Sequence, residues 1–437
     1  MDARRGEGPG RDRGRDRGAS GEPGRGLGGG ASGAALAHRV GPVGGAAGAL
    51  ARGDRGRDGA RAVSPAGRPD ARAAAGDRPA GGGRGMSDFL VIGGGIAGVS
   101  AGARLSELGR VSLLEREPQL AYHVSGRSAA LYEQAYGAAT TVALNLASRD
   151  DLEAAGVLSP RGLMLVGTAE SAEAFERDRA QMGMVPLDRA EARRLWPILA
   201  EDVDRAALDE AAWDIDTDRL VQGYARQIRA AGGSVVTGAE VTAIARGGAG
   251  WEVTAGGAVH GGRVLVNAAG AWADRVAVLA GVAPLGLVPH RRSMARIAAP
   301  EGMDVSGWPM IFGPGEDWYA KPDAGALIVS PAEEDPAEPH DAWADDMVLA
   351  EGLARYEAHL TAPVTRMLAN WAGLRTFAPD RSLVLGPDPA AADFVWSAGQ
   401  GGYGFQTAPA ASRLVADLVA GRVPALAPGV VAQLVPD

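Results

Sequence analysis

The sequence predicts an α/β protein: one domain built on a parallel sheet, interleaved along the chain with a mixed-sheet α+β lobe. Three observations carry that prediction. A strand, a glycine turn, a helix and a second strand follow one another within residues 89–114. Strand-like segments and a second glycine-rich turn return far downstream, at 234–267 and 394–404. Between these stretches, 151–212 and 284–369 carry no glycine fingerprint.

Taken from the start, residues 1–85 hold 25 of the 65 glycines and 16 arginines against 9 acids, a net of +7. They contain no Ile, Phe, Trp, Tyr or Lys. Such a composition cannot bury enough apolar surface to offset the entropy of ordering, so disorder is expected. One reading is an arginine–glycine arm for nucleic acid or an acidic partner. The bias also fits upstream sequence of a GC-rich gene, with Met86 as the natural start, and that reading is preferred. The whole chain carries −9, so residues 86–437 carry −16, which argues against a nucleic-acid groove. With no cysteine, disulfides, thiol nucleophiles, iron–sulfur clusters and a sulfur-tethered cofactor are excluded. His123, His260, His290, His340 and His359 lack ligand-like spacing, so no metal is expected. No run of roughly 18 apolar residues suggests a membrane span. A cytoplasmic protein, or one peripheral to the inner membrane, is expected.

Residues 89–92 are a short apolar run suited to a central parallel strand. Gly93, Gly95 and Gly98 then form G-x-G-x-x-G. The first permits the tight turn, the second lets backbone approach a pyrophosphate, and the third lets the helix pack on the strand. Apolar positions at Ile96, Val99, Leu105 and Leu108 predict a helix over 96–108, ending at Gly109. A strand over 111–114 closes on Glu115, 22 residues after Gly93, where an acid is expected to bond a ribose 2′-hydroxyl. Strand, glycines, helix, strand and acid in that order predict a Rossmann-type site for FAD or NAD(H), not NADP(H).

Downstream the chain does not continue as a simple nicotinamide domain. Segments 234–237, 240–245, 251–254 and 263–266 read as strands, leading into Asn267-Ala-Ala-Gly-Ala-Trp272. A strand over 394–398 enters Gly399-Gln-Gly-Gly-Tyr-Gly404 and a helix over 405–420. A second helix start with free N–H groups suits the anionic part of a reduced flavin, which favours FAD.

At this point the residues resemble the FAD-dependent D-amino acid oxidase superfamily, most nearly its bacterial D-arginine dehydrogenase-like members. Matching stretches are Gly126-Arg-Ser-Ala-Ala130, Asp214-Ile-Asp-Thr217, residues 264–272, Arg291-Arg-Ser293, Tyr319-Ala-Lys-Pro-Asp-Ala-Gly325, Trp371-Ala-Gly-Leu-Arg375 and residues 400–407. The resemblance implies FAD-dependent oxidative deamination of D-amino acids, with hydride passing from Cα to the cofactor. It implies non-covalent FAD contacts at Gly93, Gly95, Ile96, Ala97, Gly98, Glu115, Arg116, Arg127, Ser128, Ala129, Val241, Ala269, Gly270 and Trp272, and at Gly401, Tyr403, Gly404, Phe405, Gln406 and Thr407. Segments 86–150, 213–283 and 370–437 are expected to form the FAD domain. Segments 151–212 and 284–369 are expected to form the substrate lobe.

The same resemblance places Arg375, Arg292 and Tyr319 on the substrate carboxylate, the Gly402 carbonyl on its amine, and Tyr136 in the pocket wall. Of Arg291 and Arg292, neighbours on a strand facing opposite ways, it makes Arg292 the inward one. The acidic run from Glu333 to Asp346 is expected to be a solvated loop. Two departures bear on specificity: Leu163 stands where such relatives carry a guanidinium-binding glutamate, and Leu131 where they carry a histidine. The side-chain pocket is therefore expected to be apolar, favouring neutral amino acids. A glycine- or sarcosine-type amine oxidase and a non-catalytic flavin binder are the alternatives, with the electron acceptor, quinone or dioxygen, left open. Because residues 1–85 lack a core-forming composition, deleting them is expected to leave FAD content, Tm and kcat/KM unchanged. Precipitation or flavin loss in the truncated protein would show that the extension packs on the fold.

Overall fold

A computed structural model describes residues 86–437. The Gly/Arg-rich extension and its expected disorder lie outside the described residues. The strand Ser87–Ile92 pairs in parallel with Val111–Leu114 on one side and Ala258–Asn267 on the other. Ser234–Val236 and Phe394–Ala398 extend the parallel run at its two ends. The antiparallel hairpin Val241–Gly247 with Gly250–Ala255, and the strand Val384–Pro387, complete an eight-stranded sheet among the described residues.

Alternation along the central strand explains why its run is apolar without a break. Phe89 and Val91 join a core with helices Ile96–Leu105, Ala139–Ala154, Thr217–Ala230 and Gly404–Val419. Leu90 and Ile92 join a second core on the opposite face, with Trp251, Phe394 and Trp396. The first helix stops three residues short of the expected end. Its last turn tightens because the N–H groups of Leu108 and Gly109 both return to the Leu105 carbonyl. The C-terminal helix carries Pro409 in its interior, and the next N–H, of Ala410, donates across to Ser148 Oγ at 3.1 Å. That bond ties the helix to its neighbour Ala139–Ala154 where proline interrupts the ladder.

A second sheet, nine-stranded among the described residues, holds Leu163–Gly167, Met310–Phe312, Tyr319–Asp323, Ala326–Ser330 and Val288–Ala298. Met367–Phe377 spans the division drawn at residue 370 and pairs antiparallel with Val288–Ala298. Strand parity again sets which residues meet. Met164 and Val166 face a core with Trp196, Trp308 and Trp318, whereas Leu163 and Leu165 face the other way with Met294, Phe312 and Tyr319. A three-stranded sheet, Leu131–Tyr132, Trp213–Ile215 and Leu158–Pro160, brings Leu131 to that same group. Asp214 fixes the arrangement, pairing with Arg161 at 2.7 Å and with Lys321, the only lysine, at 2.7 Å.

The tightest backbone approach is at the first glycine turn. A methyl on Gly98 would stand 1.9 Å from the Gly93 carbonyl oxygen, and one on Gly93, at φ +110°, 2.3 Å from the Ala268 carbonyl. Neither neighbour is a side chain that could swing aside. Gly98→Ala is therefore expected to cost about 1–3 kcal/mol or more through overpacking, read as a lower Tm. Gly307→Ala, with nothing within 4 Å of the added methyl, should leave Tm unchanged. Equal melting of the two variants would show that the turn yields freely.

Candidate active site

One continuous cavity of about 490 Å³ runs from the first glycine turn to Arg375, a size suited to a cofactor-class ligand. At one end Gly93, Gly95, Ile96 and Ala97 line it, with Glu115 and Arg116 at the end of the second parallel strand. Val241, Ala269, Gly270 and Trp272 also line it, and Arg116 lies over the Trp272 ring at 4.7 Å. Arg127, Ser128 and Ala129 line the middle, and Gly401, Gly404, Phe405 and Gln406 supply the start of the C-terminal helix. Gly98, Tyr403 and Thr407 do not line the cavity. Gly98 serves the close backbone approach, Thr407 donates to the Tyr403 carbonyl at 2.9 Å, and the Tyr403 ring packs on Tyr136 and Phe377.

These groups fit the dinucleotide read from the sequence. Side-chain-free backbone at Gly93 and Gly95 leaves room for a pyrophosphate, and the first N–H groups of the helix Ile96–Leu105 have no intrahelical acceptors. One of them, on Ile96, donates to Ser125 Oγ at 3.1 Å. The Glu115 carboxylate is 7% exposed and accepts from the backbone N–H groups of Gly94 and of Glu117. Burial raises its pKa against the pull of those two bonds. An acceptor-only group so placed suits the hydroxyls of a ribose. His123 packs on Trp272 with ring centroids 4.7 Å apart and lies 2.9 Å from Glu117, a packed side chain of the cavity wall. Arg127 is spent on structure, donating to the Ala342 and Ala372 carbonyls at 2.9 Å and pairing with Asp341.

The other end gathers Tyr136, Tyr319, Arg375, Gly402, Leu131 and Leu163. Arg375 lines the cavity, and its guanidinium has no ion pair or hydrogen bond among the described residues. Burial works to lower its pKa, but the phenols of Tyr319 and Tyr136 and the carboxylates of Glu316 and Glu334 hold it above the usual arginine value. Gly402 stands against this guanidinium, since a methyl there would lie 3.0 Å from Nη1. Tyr319 directs its hydroxyl to Met294 Sδ at 3.4 Å. Leu163 is 5% exposed, and Met182, Met294, Met310 and Phe312 continue the apolar lining.

Arg292 is inward, 5% exposed, and lines the cavity, whereas Arg291 turns to Asp335. Its charge is nevertheless engaged: Nη2 pairs with Glu334 at 3.0 Å and Nε donates to the Glu333 carbonyl at 2.9 Å. The acidic run expected to be a solvated loop is exposed at Asp335, Glu338, Asp341 and Asp346 but turned to the arginines at its start. Glu333 takes the Ser293 N–H at 2.7 Å, and Glu334 bridges the buried Arg292, which needs counter-charge, and the exposed Arg381.

Two further carboxylates line the cavity, Glu316, which the sequence reading missed, and Glu133, the acid able to stand in for a glutamate at position 163. Glu316 accepts from the Tyr136 hydroxyl at 2.8 Å, from a turn where its own φ is +54°. Nothing in Pro314-Gly-Glu316 marks it from sequence. Glu133 is 3% exposed, with Oε1 held by the Ala135 N–H at 2.9 Å. The pocket expected to be apolar is thus apolar at Leu131 and Leu163 and acidic at Glu133 and Glu316.

Residues 88–418 match the family model of the FAD dependent oxidoreductases, DAO. The bovine (Bos taurus) protein "FAD-dependent oxidoreductase domain-containing protein 1" is 26% identical over 399 residues, 76% of this chain and 81% of that one. Among solved structures, glycine oxidase from Geobacillus kaustophilus superposes with a TM-score of 0.68 at 23% identity, covering 78% of this chain and 96% of that one. L-proline dehydrogenase from P. horikoshii gives 0.67 at 21%, covering 78% and 95%. At these identities the two structures establish the fold, which is of the DAO type, while the D-arginine dehydrogenase-like subtype finds no support among them. The family match extends over the glycine turn, both sheets and most of the C-terminal helix, and the chain belongs to the DAO family of FAD-dependent oxidoreductases.

Proposed function

We propose that the chain oxidises the α-amino group of neutral D-amino acids with non-covalently held FAD, the imino acid product hydrolysing to a 2-oxo acid and ammonia. The observation that carries this reading is the unpaired Arg375 at the end of the cavity. A guanidinium without a counter-ion is costly to enclose unless a ligand anion completes it. Its planar fork matches a carboxylate bidentately. In this reading Tyr319, which lines the same cavity, joins that contact, and the Gly402 carbonyl accepts the substrate's N–H. Arg292, already paired with Glu334, plays a supporting part. Leu131, Leu163, Met310 and Phe312 surround the side chain and exclude water from it. Bound FAD would supply the acceptor for the hydride that leaves Cα.

The D configuration rests on the motif resemblance. The structural likeness to an oxidase of glycine and a dehydrogenase of L-proline keeps to amino-carboxylates as a class. Anaerobic mixing with D- and L-amino acids, glycine and sarcosine, watching the flavin colour bleach, tests the reading. A non-catalytic flavin binder would bleach with none of them, and H2O2 release in air separates oxidase from dehydrogenase.

Arg375→Ala is expected to lose about 3 kcal/mol of binding to the reacting substrate, roughly a hundredfold in kcat/KM, with FAD content unchanged. Near-wild-type turnover would remove Arg375 from the site. For the side chain, burying an unpaired cation beside Leu163 costs several kcal/mol, against about 0.8 kcal/mol gained per buried methylene. D-leucine or D-methionine should therefore exceed D-arginine by at least about a hundredfold in kcat/KM, and Leu163→Glu should narrow that gap from both sides. A wild-type preference for D-arginine would overturn the placement of Leu163 beside the side chain or put Glu133 on the guanidinium.

A further inference from the structure

We propose that Glu133 is the proton acceptor for the substrate's ammonium group, an inference that rests on the amine-oxidising reading above. Glu133 follows directly on the strand Leu131–Tyr132 and lines the cavity with Leu131, Tyr136 and Gln406. Its backbone is pinned on both sides: its N–H donates to Gln406 Oε1 at 3.0 Å, and its carbonyl accepts from Asn145 Nδ2 at 3.3 Å. One carboxyl oxygen, Oε1, is held by the Ala135 N–H, while Oε2 is buried and has no hydrogen-bond partner among the described residues. No arginine or lysine is ion-paired with it among the described residues.

The groups facing it offer no relief. Asp209, from the strand Arg205–Asp209, and Glu316, from the turn Pro314–Glu316, are like charges. Gln406 and Asn145, from the two packed helices, are neutral. Burial first, then those two carboxylates, push the Glu133 pKa up to about 7, against the Ala135 and Tyr136 N–H groups that lower it. A buried carboxylate with a free oxygen and acidic neighbours is completed by a cation or by a proton, and a substrate ammonium brings both. The N–H bond breaks, an O–H bond forms on the Glu133 carboxylate, and the nitrogen keeps its lone pair. Before transfer the pair carries −1 and +1; afterwards both partners are neutral. In water an ammonium holds its proton more tightly than a carboxyl does, but enclosure lowers the amine's pKa and raises the acid's, so the two approach one another. The amine must be neutral for Cα–H to leave as hydride, and that requirement gives Glu133 its task.

The test compares holoenzyme of wild type, Glu133→Gln and Glu133→Asp, each checked for flavin content and melting. The amide still accepts from Ala135 and keeps the shape. For the wild type, anaerobic flavin reduction by a substrate that bleaches it is expected to fall as pH drops through about 7, where Glu133 protonates. Glu133→Gln should lose that limb, be slower by roughly a hundredfold at pH 7, and recover toward pH 10 as free amine becomes available in solution. Glu133→Asp should keep a limb at reduced rate. As a readout free of turnover, 2-aminoisobutyrate has no Cα–H and can only bind; its Kd should weaken roughly tenfold in Glu133→Gln at pH 7 and recover at pH 10. A bleaching wild type whose pH profile and probe affinity are shared by Glu133→Gln overturns the inference alone. A wild-type flavin that no amine bleaches overturns the reading beneath it and the inference together.

Discussion

Arg375 lies on the strand Met367–Phe377, which is paired with Val288–Ala298 at ten positions, so its guanidinium reaches the cavity from a sheet rather than from a loop. A cation delivered by so long a ladder cannot retreat to solvent without unzipping backbone bonds. It must be stabilised where it stands, and among the described residues the partners that would do so are lacking. The carboxylates of Glu316 and Glu334 favour its charged form without pairing with it. Most of what surrounds it follows from that constraint: Gly402 lacks a side chain where one would press on Nη1, and Tyr136 is drawn off toward Glu316.

The neighbouring arginines show what the fold does when it has no such task for a charge. Arg292 shares the ladder with Arg375 but is answered by Glu334 and by the Glu333 carbonyl. Arg381 shares Glu334 and stacks on Phe377 at 3.9 Å. Arg127 is bonded to two carbonyls and to Asp341. Uncompensated burial of Arg292 or Arg127 would cost several kcal/mol, and each is compensated. The contrast makes the open valence at Arg375 informative, and the same holds for the free oxygen of Glu133 in an interior where carboxylates such as Glu115 are bonded on both oxygens.

Opposite charges at one end and glycine-lined backbone at the other require the two large sheets to meet accurately. Asp214, between Arg161 and Lys321, joins the three-stranded sheet that carries Leu131 to the strand that carries Tyr319. Lys321 Nζ also donates to the carbonyls of Ala129 and Ala130, fixing the segment that leads into Leu131. These side chains are largely buried, so the network serves register more than net stability.

Local pattern alone determined the central strand, the glycine turn, the helix after it and Glu115, because each depends on residues within about thirty positions of the others. It also determined the strand Phe394–Ala398 and the helix that follows, where glycines must open a helix against a ligand. Strand parity could be written down for Arg291 and Arg292, but only pairing with Met367–Phe377 shows which face meets the cavity. The partners of the acidic run, the Glu316 turn and the buried state of Glu133 were decided by tertiary structure. A carboxylate reads the same in sequence whether water or a cavity solvates it. Its role emerges when residues 133, 209 and 316, remote in the chain, are brought close enough for one to raise the proton affinity of another.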